Sequence, residues 1–275
     1  MNRRRFAGGH IGEGHRLASE HAQLIVVVPT YNEIENVDAV VDRVSAVRAS
    51  TPVDLLFVDD GSPDGTGARI HELRASMPWI NVIEREGRQG LGSAYRAGFR
   101  WALSHGYARV GEMDADLSHD PSYLPALDAA VRDGADLALG SRYTSGGGSE
   151  GWPLQRRLLS RGANLFARTL LRLSTKDVTG GFRVYDRDAV EVLLDQGTEC
   201  DGYGFQVEGV YALNRAGMRI VEVPITFRDR AYGRSKMSRS IVWEATRRCV
   251  ALAFERPRVS AVASARIPEG ATDGH

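Results

Sequence analysis

The sequence lacks the features that mark disulfide-bonded, membrane-spanning or disordered proteins. Only two of its 275 residues are cysteine, Cys200 and Cys249, too few for a disulfide framework or a multi-cysteine zinc site. No apolar run approaches the roughly 20 residues that a membrane-spanning helix requires. Hydrophobic residues at 43% and charged residues at 25% form an ordinary globular mixture. We therefore expect a globular protein of a reducing compartment, without a membrane-spanning helix of its own.

Lysine is also scarce, because Lys176 and Lys236 are the only lysines among 35 lysine and arginine residues. The net charge of zero conceals an uneven distribution: residues 1–140 carry 14 basic and 20 acidic side chains, whereas residues 141–275 carry 21 and 15. Guanidinium groups recognise phosphate better than ammonium groups do. An abundance of arginine is also typical of genomic codon bias, so the positions of the arginines carry more information than their number.

The first half of the chain predicts an α/β fold with a mostly parallel sheet. Apolar stretches that predict strands alternate with segments of helical periodicity, as in βαβ units. The predicted strands are Leu24–Val28, Val53–Val58, Asn81–Glu84, Ala108–Met113 and Asp136–Gly140. In such sheets ligands bind beyond the carboxyl ends of the strands. Polar clusters follow four of these strands, at residues 29–33, 59–64, 114–120 and 141–143. This edge of the sheet is therefore the candidate site.

The second half predicts a different organisation, with a glycine-rich linker at residues 146–151 and a long helix over Pro153–Leu173. A polar stretch, Lys176–Tyr185, separates this helix from two shorter helices, a strand and a last helix. These are predicted over Asp186–Leu194, Phe205–Ala216, Arg219–Val223 and Ser238–Phe254. We expect one domain over residues 23–236, a C-terminal helix over 237–258, and disordered tails over 1–22 and 259–275.

Asp114-Ala115-Asp116 is the strongest chemical motif in the sequence. It follows a predicted strand, so both carboxylates can turn toward one ligand, and paired hard oxygen donors suit Mg²⁺ or Mn²⁺. A phosphatase of the haloacid-dehalogenase type is one alternative, since residues 114–118 match its DxDx[TS] pattern. However, Gly111 and Glu112 interrupt the apolar strand expected before the nucleophile of that class. The sequence has neither a dinucleotide-binding glycine fingerprint after its first strand nor a P-loop.

Further motifs carry a resemblance to a known family. In the first half they lie at residues 28–33 (VPTYNE), 58–66 (VDDGSPDGT), 90–92 (GLG), 114–121 (DADLSHDP) and 140–143 (GSRY). Together with motifs at residues 152–164, 179–183 and 230–236, they resemble the family 2 glycosyltransferases of the GT-A fold. Within that family the resemblance is to the dolichyl- or polyprenyl-phosphate mannosyltransferases. It implies a Rossmann-like, mostly parallel sheet flanked by helices, with amphipathic helices at the C-terminal end.

The resemblance also implies roles for residues of the donor site. Asp114 and Asp116 would bind Mg²⁺ or Mn²⁺, and Arg142 and Arg230 would join them as catalytic groups that neutralise the departing diphosphate. The residues implied in binding the nucleotide sugar are Pro29, Tyr31, Glu33, Val58, Asp60, Asp114, Ala115, Asp116, Arg142, Arg230 and Lys236.

A second group of residues is implied in binding the phosphate of the acceptor. Arg142, Arg156 and Ser160 would form this site, although Arg156 is equally typical of a solvated charge on a helix. Ser118 stands where many members of the family carry glutamine. Because a serine side chain is shorter, Ser118 is left out of the expected metal site.

The resemblance implies that the chain transfers mannose from GDP-mannose to the phosphate of a polyprenol, with inversion. A UDP-sugar-dependent transferase of the same fold is an alternative, because Tyr31, Glu33 and Asp60 do not distinguish guanine from uracil. The phosphatase and a non-catalytic module that binds a nucleotide or a lipid phosphate are the others. The implied partners are GDP-mannose, a polyprenyl phosphate and a membrane surface, without nucleic acid, and a membrane-anchoring subunit stays open.

The predicted helix Pro153–Leu173 bears on location. Helical periodicity places four arginines on one side and a group of leucine and phenylalanine residues on another. The arginines are Arg157, Arg161, Arg168 and Arg172. No acidic residue occurs within residues 151–175. This pattern is typical of a basic helix on an anionic bilayer, and also of a helix whose leucines pack on the domain core. The first alternative predicts a peripheral protein on the cytoplasmic face of the cell membrane.

Overall fold

The structure is a computed structural model that describes residues 22–196, 203–229 and 239–254. The tails predicted over 1–22 and 259–275 lie outside these residues, apart from Ala22, and the domain bounds stay predictions. The strands are β1 (Leu24–Thr30), β2 (Val53–Asp59), β3 (Ile80–Glu84), β4 (Arg109–Glu112), β5 (Leu137–Ser141), β6 (Gly148–Ser149), β7 (Arg183–Asp186), β8 (Ile220–Pro224) and β9 (Thr226–Phe227). The helices are α1 (Ile34–Arg48), α2 (Thr66–Ser76), α3 (Leu91–Ser104), α4 (Leu124–Arg132), α5 (Leu154–Leu170), α6 (Arg187–Gln196), α7 (Tyr203–Arg215) and α8 (Arg239–Phe254).

Seven strands form a central sheet in the order β3-β2-β1-β4-β7-β5-β8. β1 pairs in parallel with β2 on one side and with β4 on the other, so that Leu24 lies opposite both Val53 and Arg109. β2 pairs in parallel with β3, and β5 with β8. The predicted α/β class and the mostly parallel sheet flanked by helices are therefore confirmed.

One strand of this sheet is not predicted by the sequence. β7 lies between β4 and β5 and runs antiparallel to both, with Val184 opposite Gly111 of β4. The prediction of a polar stretch over Lys176–Tyr185 is therefore wrong for its last residues. β7 has four residues and carries Arg183 and Asp186 at its ends, so it lacks the apolar run that indicates a buried strand.

The core covers both faces of the sheet, because successive residues of a buried strand point to opposite sides. Val26 and Val28 of β1 pack with α1, α2 and α4, whereas Ile25 and Val27 pack with α3 and with α5 to α8. Gly98 brings α3 directly against Val27, where a Cβ atom would collide with the valine side chain. The sheet is thereby held firmly beneath the loops at its carboxyl ends.

The helix α5 is attached to the domain by a narrow stripe that includes only its last leucine, Leu170. Asn164 and Ala167 are the buried residues of this helix. Five of its large apolar side chains are exposed, with exposed fractions of 70% for Leu154, 59% for Leu158, 61% for Leu159, 61% for Leu165 and 45% for Phe166. The alternative in which the leucine face packs on the domain core is therefore wrong for Leu158, Leu159, Leu165 and Phe166, whereas Leu170 and Leu173, at the C-terminal end of the predicted helix, do pack in the core. Within the described ranges, no helix has the length and apolar character needed to cross a bilayer.

The predicted glycine-rich linker contains a short strand. β6 pairs in parallel with β9, so that Gly148 lies opposite Thr226. Two residues in a segment of glycine and serine leave no periodicity from which a strand can be predicted. This small sheet brings Phe227 beside Trp152, with 5.2 Å between their ring centroids. It thereby fixes the start of α5 near the edge of the central sheet.

Candidate functional site

The loop after β4 carries the two predicted metal-binding carboxylates at the carboxyl edge of the sheet. The backbone N–H of Asp114 donates to Nδ1 of His119 at 3.1 Å, and the side chain of Asp114 is 35% exposed. Asp116 is buried, and its Oδ1 accepts a hydrogen bond from the backbone N–H of Ser118 at 3.1 Å. The loop is thus closed by its own hydrogen bonds and leaves Asp114 accessible to a ligand.

Two further residues of this loop bear on metal binding. Leu117 has a left-handed backbone with φ of 63°, which costs about 1–2 kcal/mol for a residue of this kind. Next to it, the buried Oγ of Ser118 has no hydrogen-bond partner among the described residues. An unpartnered hydroxyl beside two carboxylates adds a third hard oxygen of the type that Mg²⁺ and Mn²⁺ bind. The side chains fit a divalent metal, although the described ranges contain no cluster of three His, Cys, Asp or Glu residues suited to one.

A buried polar network supports this loop from below. Glu112 is fully buried, and its oxygens accept hydrogen bonds from the Tyr185 hydroxyl at 2.9 Å and the Gln206 amide at 3.0 Å. Burial raises the pKa of Glu112 to about 7, against the lowering effects of Arg183 and of these two hydrogen bonds. Arg183 is also fully buried and donates to the Tyr185 hydroxyl at 3.2 Å. The network joins β4, β7 and α7, and its member Glu112 lies two residues before Asp114 in the chain.

The predicted nucleotide-binding residues of the first two strands lie along adjoining strand ends. Pro29 and Val58 are opposite each other in the register of β1 and β2. Tyr31 follows β1, and the guanidinium carbon of Arg88 lies 5.5 Å from the centroid of its ring. Glu33 stands immediately before α1. The sheet therefore brings the Tyr31 ring, the partly buried Pro29 and the Glu33 carboxylate to one side of the site, whereas the Val58 side chain is fully buried in the core.

Asp60 is buried at this end of the site and has protein partners. Nε of Arg85 donates to its Oδ1 at 2.7 Å, and the backbone N–H of Gln89 donates to its Oδ2 at 3.0 Å. Arg85 also donates to the Ser93 hydroxyl at 2.7 Å. A carboxylate has about four acceptor positions, so Asp60 keeps capacity to accept a donor from a ligand. The sequence carries no local signal for Arg85 or Arg88, because their partners lie on other strand ends.

Arg142 is held in a buried ion pair with Asp177. Its Nε and Nη2 atoms donate to the two carboxylate oxygens, each at 2.7 Å. The two side chains are 8% and 0% exposed. Burial alone raises the pKa of Asp177, but the charge and hydrogen bonds of Arg142 outweigh this effect and hold that pKa below its usual value. Any role of Arg142 at a phosphate therefore includes Asp177, which the sequence motifs do not identify.

The three residues predicted to bind the acceptor phosphate lie around Trp152 and Tyr143. The guanidinium carbons of Arg142 and Arg156 lie 5.4 Å and 4.2 Å from the centroid of the Trp152 ring. Ser160 accepts a hydrogen bond from the Tyr143 hydroxyl at 2.6 Å. The Tyr143 ring in turn lies 5.2 Å from the guanidinium carbon of Arg142. The structure thus brings these predicted residues together and adds two aromatic side chains to them.

Aromatic rings connect this cluster to the loop after β4, which carries Asp114 and Asp116. The centroid of the His119 ring lies 5.4 Å from that of Phe227, which in turn lies 5.2 Å from Trp152. The guanidinium carbon of Arg142 lies 5.5 Å from the Phe227 ring. The two predicted sites are therefore neighbours, as they must be when one substrate attacks a group carried by the other.

Two predicted site residues, Arg230 and Lys236, lie outside the described residues. The two residues before Arg230 are described. The backbone N–H of Arg228 donates to the Ser118 carbonyl at 3.3 Å, and Asp229 accepts a hydrogen bond from Arg156 at 2.9 Å. Residues 228 and 229 thus lie between the loop after β4 and the start of α5.

The chain is similar in sequence to three named mannosyltransferases or mannose synthases. It is 45% identical over 235 residues to polyprenol monophosphomannose synthase of Mycolicibacterium smegmatis, covering 85% of this chain and 88% of that protein. It is 46% identical over 224 residues to undecaprenyl-phosphate mannosyltransferase of Micrococcus luteus, covering 81% and 90%. Dolichol-phosphate mannosyltransferase of Pyrococcus furiosus is 36% identical, covering 80% of this chain and 60% of that protein.

The fold matches solved structures as well. Glucosyl-3-phosphoglycerate synthase from Mycobacterium tuberculosis superposes with a TM-score of 0.60 at 22% identity, covering 83% of this chain and 80% of that one. This likeness identifies the GT-A fold. Residues 25–194 match the family described as glycosyl transferase family 2, which leaves the phosphatase alternative without support. The motifs at the strand ends, the family match and these relatives agree, and the chain belongs to glycosyl transferase family 2.

Proposed function

We propose that this protein transfers mannose from GDP-mannose to the phosphate of a polyprenol, with inversion at the anomeric carbon. The observation that carries the proposal is the 45% identity, over 85% of the chain, to a polyprenol monophosphomannose synthase. Two further relatives are named as undecaprenyl-phosphate and dolichol-phosphate mannosyltransferases. We call the loop after β4, with Asp114 and Asp116, the metal-binding loop, and we call Arg142, Arg156 and Ser160 the acceptor cluster. Because the two adjoin, they support a direct transfer between two bound substrates.

In this proposal the ends of β1 and β2 bind the nucleoside. Tyr31 offers a ring face to the base, Pro29 forms the apolar wall beside it, and Val58 supports this wall from the core. Glu33 and Asp60 offer carboxylate oxygens to N–H and O–H donors of the base and ribose. Guanine presents neighbouring N1–H and N2–H donors to a carboxylate, whereas uracil presents a single N–H. Both bases offer a donor to these carboxylates, so our choice of GDP over UDP rests on the resemblance to the polyprenyl-phosphate mannosyltransferases and is tested by the product assay below.

The metal-binding loop receives the diphosphate. Asp114 and Asp116, with the Ala115 backbone and the Ser118 hydroxyl, would hold Mg²⁺ or Mn²⁺ there. Such a metal neutralises negative charge on the diphosphate when bound. Complexes of the glucosyl-3-phosphoglycerate synthase contain Mn²⁺ or Mg²⁺ together with UDP. We assign Arg230 and Lys236 to the same diphosphate, where their charge stabilises the leaving group.

The acceptor cluster binds the lipid phosphate in our proposal. Arg156 and Ser160 contact the phosphate, and Arg142, fixed by Asp177, adds positive charge between acceptor and donor. A phosphate monoester is already anionic at neutral pH, so its oxygen attacks the anomeric carbon without a strong general base. The contribution of these residues is then alignment of the two substrates and stabilisation of the departing GDP.

The exposed face of α5 is the part of the surface that we place against the membrane. Its five exposed apolar side chains point away from the buried stripe formed by Asn164 and Ala167. Arg157 and Arg161 are exposed on the flank of this face, and no acidic residue occurs within residues 151–175. Apolar side chains flanked by cations suit the interface of an anionic bilayer. We infer a peripheral position at the cytoplasmic membrane face, with a membrane-anchoring subunit as the alternative.

A product assay tests the reaction. The purified protein is incubated with Mn²⁺, a short polyprenyl phosphate and either GDP-mannose or UDP-glucose, and lipid-linked sugar and inorganic phosphate are measured. Mannosyl lipid from GDP-mannose alone, with a β-linkage by NMR, is the expected result. Sugar transfer only from UDP-glucose would establish the alternative donor, whereas absence of any lipid-linked sugar would contradict a transferase.

A further inference from the structure

Trp152 lies at the centre of the acceptor cluster, yet none of the roles assigned above uses it. It directly precedes Pro153 and α5, and it is 8% exposed. Phe227 packs edge-on against its ring, with 67° between the two ring planes. Arg142 and Arg156 approach the same ring to within 5.4 Å and 4.2 Å of its centroid. The indole ring therefore contacts two guanidinium groups at once.

The Nε1–H group of Trp152 is buried and has no hydrogen-bond partner among the described residues. A buried tryptophan N–H usually has a partner, because an unpaired buried donor costs free energy. The other buried unpartnered atoms of the described residues are oxygens, which can accept a hydrogen bond, whereas an indole N–H can only donate. The group therefore requires an acceptor that the described part of the chain does not supply.

The charges around Trp152 favour an anionic acceptor. Arg142 is bound to a carboxylate that is fully buried, but Arg156 is paired with Asp229, whose side chain is 44% exposed. Partly exposed ion pairs of this kind contribute little to stability, so a ligand anion can replace Asp229 at Arg156 at small cost. Ser160, one helical turn beyond Arg156, adds a hydroxyl on the same side. A phosphate monoester provides several oxygens for such a set of donors.

We propose that Trp152 belongs to the acceptor site: its Nε1–H donates to an oxygen of the acceptor phosphate, and its ring positions the guanidinium of Arg156. This inference rests on the proposed function, since it takes the phosphate monoester of that reaction as the ligand.

Two substitutions separate the N–H from the ring. Trp152→Phe keeps an aromatic face for Arg156 and removes the donor, whereas Trp152→Leu removes both. Trp79→Phe is the matched control, because Arg48 lies 4.6 Å from the Trp79 ring in an equivalent pair away from the acceptor cluster. With a short polyprenyl phosphate as substrate, we expect Trp152→Phe to raise the acceptor KM about tenfold, equivalent to about 1.4 kcal/mol. The donor KM and kcat should stay within error of the wild type, and the thermal midpoint should fall by no more than a few degrees, because the smaller ring leaves only a small cavity.

Trp152→Leu should raise the acceptor KM further, and Trp79→Phe should leave it unchanged. An unchanged acceptor KM for Trp152→Phe would overturn the inference. So would a combined fall in kcat and thermal midpoint with equal effects on both KM values, since that pattern belongs to a structural residue.

Tryptophan fluorescence provides a readout that does not depend on transfer. Citronellyl phosphate should change the emission of the wild type and not that of Trp152→Phe, and the alcohol citronellol should change neither. An equal response to the alcohol would overturn the inference. If the phosphate changes Trp152 emission while no mannose is transferred, the proposed function fails and the phosphate site stands. If mannose is transferred but Trp152→Phe equals the wild type in both assays, the proposed function stands and the assignment of Trp152 to the acceptor site fails.

Discussion

The exposed apolar face of α5 leads to a quantitative prediction about membrane binding. Leu158 and Leu165 lie on one side of the helix, and their exposed fractions are 59% and 61%. Fully burying a leucine side chain contributes about 1.5–3 kcal/mol. Inserting the exposed parts of both side chains into a bilayer therefore contributes about 2–3.5 kcal/mol. We expect the double variant Leu158→Ser/Leu165→Ser to bind vesicles about 30-fold to 300-fold more weakly than the wild type.

Co-sedimentation with vesicles measures this effect. Anionic and neutral vesicles are compared at low and at high salt, because salt screens the attraction of exposed arginines but leaves apolar insertion in place. Gln155→Ser, an exposed substitution on the same helix that removes no apolar side chain, is the matched control. Arg157→Gln/Arg161→Gln isolates the electrostatic part. All these side chains are exposed, so thermal stability should change little.

Two results would refute this reasoning. If the double serine variant binds anionic vesicles as tightly as the wild type, and high salt releases both, the arginines alone hold the protein and the leucines do not insert. If the wild type binds no vesicles at all, α5 is not a membrane face, and an anchoring subunit becomes the better explanation.

The remaining predictions concern the catalytic machinery. Asp116→Asn should lower transfer about 100-fold or more without lowering the thermal midpoint, and excess EDTA should abolish wild-type activity; full turnover in EDTA would contradict the metal site. Asp177→Asn should destabilise the fold by about 3–5 kcal/mol at neutral pH, because it leaves Arg142 buried without its counter-charge. Because the pKa of Asp177 is lowered in the folded protein, the wild type loses this stability only as pH falls below 3.8, the ordinary pKa of an aspartate. In urea denaturation, the free energies of unfolding of the two proteins should therefore converge below that pH. A constant difference in the free energy of unfolding would contradict the pairing. Arg85→Ala should weaken GDP binding about fivefold to tenfold in a thermal-shift titration, because Asp60 loses its partner, whereas Arg100→Ala, an exposed change on α3, should not.

Much of the sheet could be predicted from the sequence because its strands carry strong local signals. The apolar runs at residues 24–28 of β1 and 55–58 of β2 predict these strands to within two residues of their observed bounds. The helical periodicity of α1 likewise places its valines on the buried face. β7 could not be predicted in this way, because its position between β4 and β5 depends on pairing with distant strands.

The candidate site also combines motifs that the sequence predicts with partners that only the folded structure brings together. The motifs at residues 28–33, 58–66 and 114–121 follow strands, and the rule that parallel strand ends meet at one edge places them together. The partners that hold those residues leave no local trace. Arg85 reaches Asp60 across 25 positions and Asp177 reaches Arg142 across 35, so packing alone brings them together.

The helix α5 shows most clearly which features depend on the sequence alone and which depend on the tertiary structure. Its sequence determined an amphipathic helix with a cationic side and an apolar side, because the 3.6-residue period follows from the order of the residues. Which side meets the domain depends on what lies opposite. There the small Ala167 and the hydrogen-bonding Asn164 fit against the protein, and Asn164 donates to the Thr179 hydroxyl at 2.9 Å. Only the tertiary structure left the other four leucines of the helix exposed, because attachment through that narrow stripe and Leu170 turns them toward solvent.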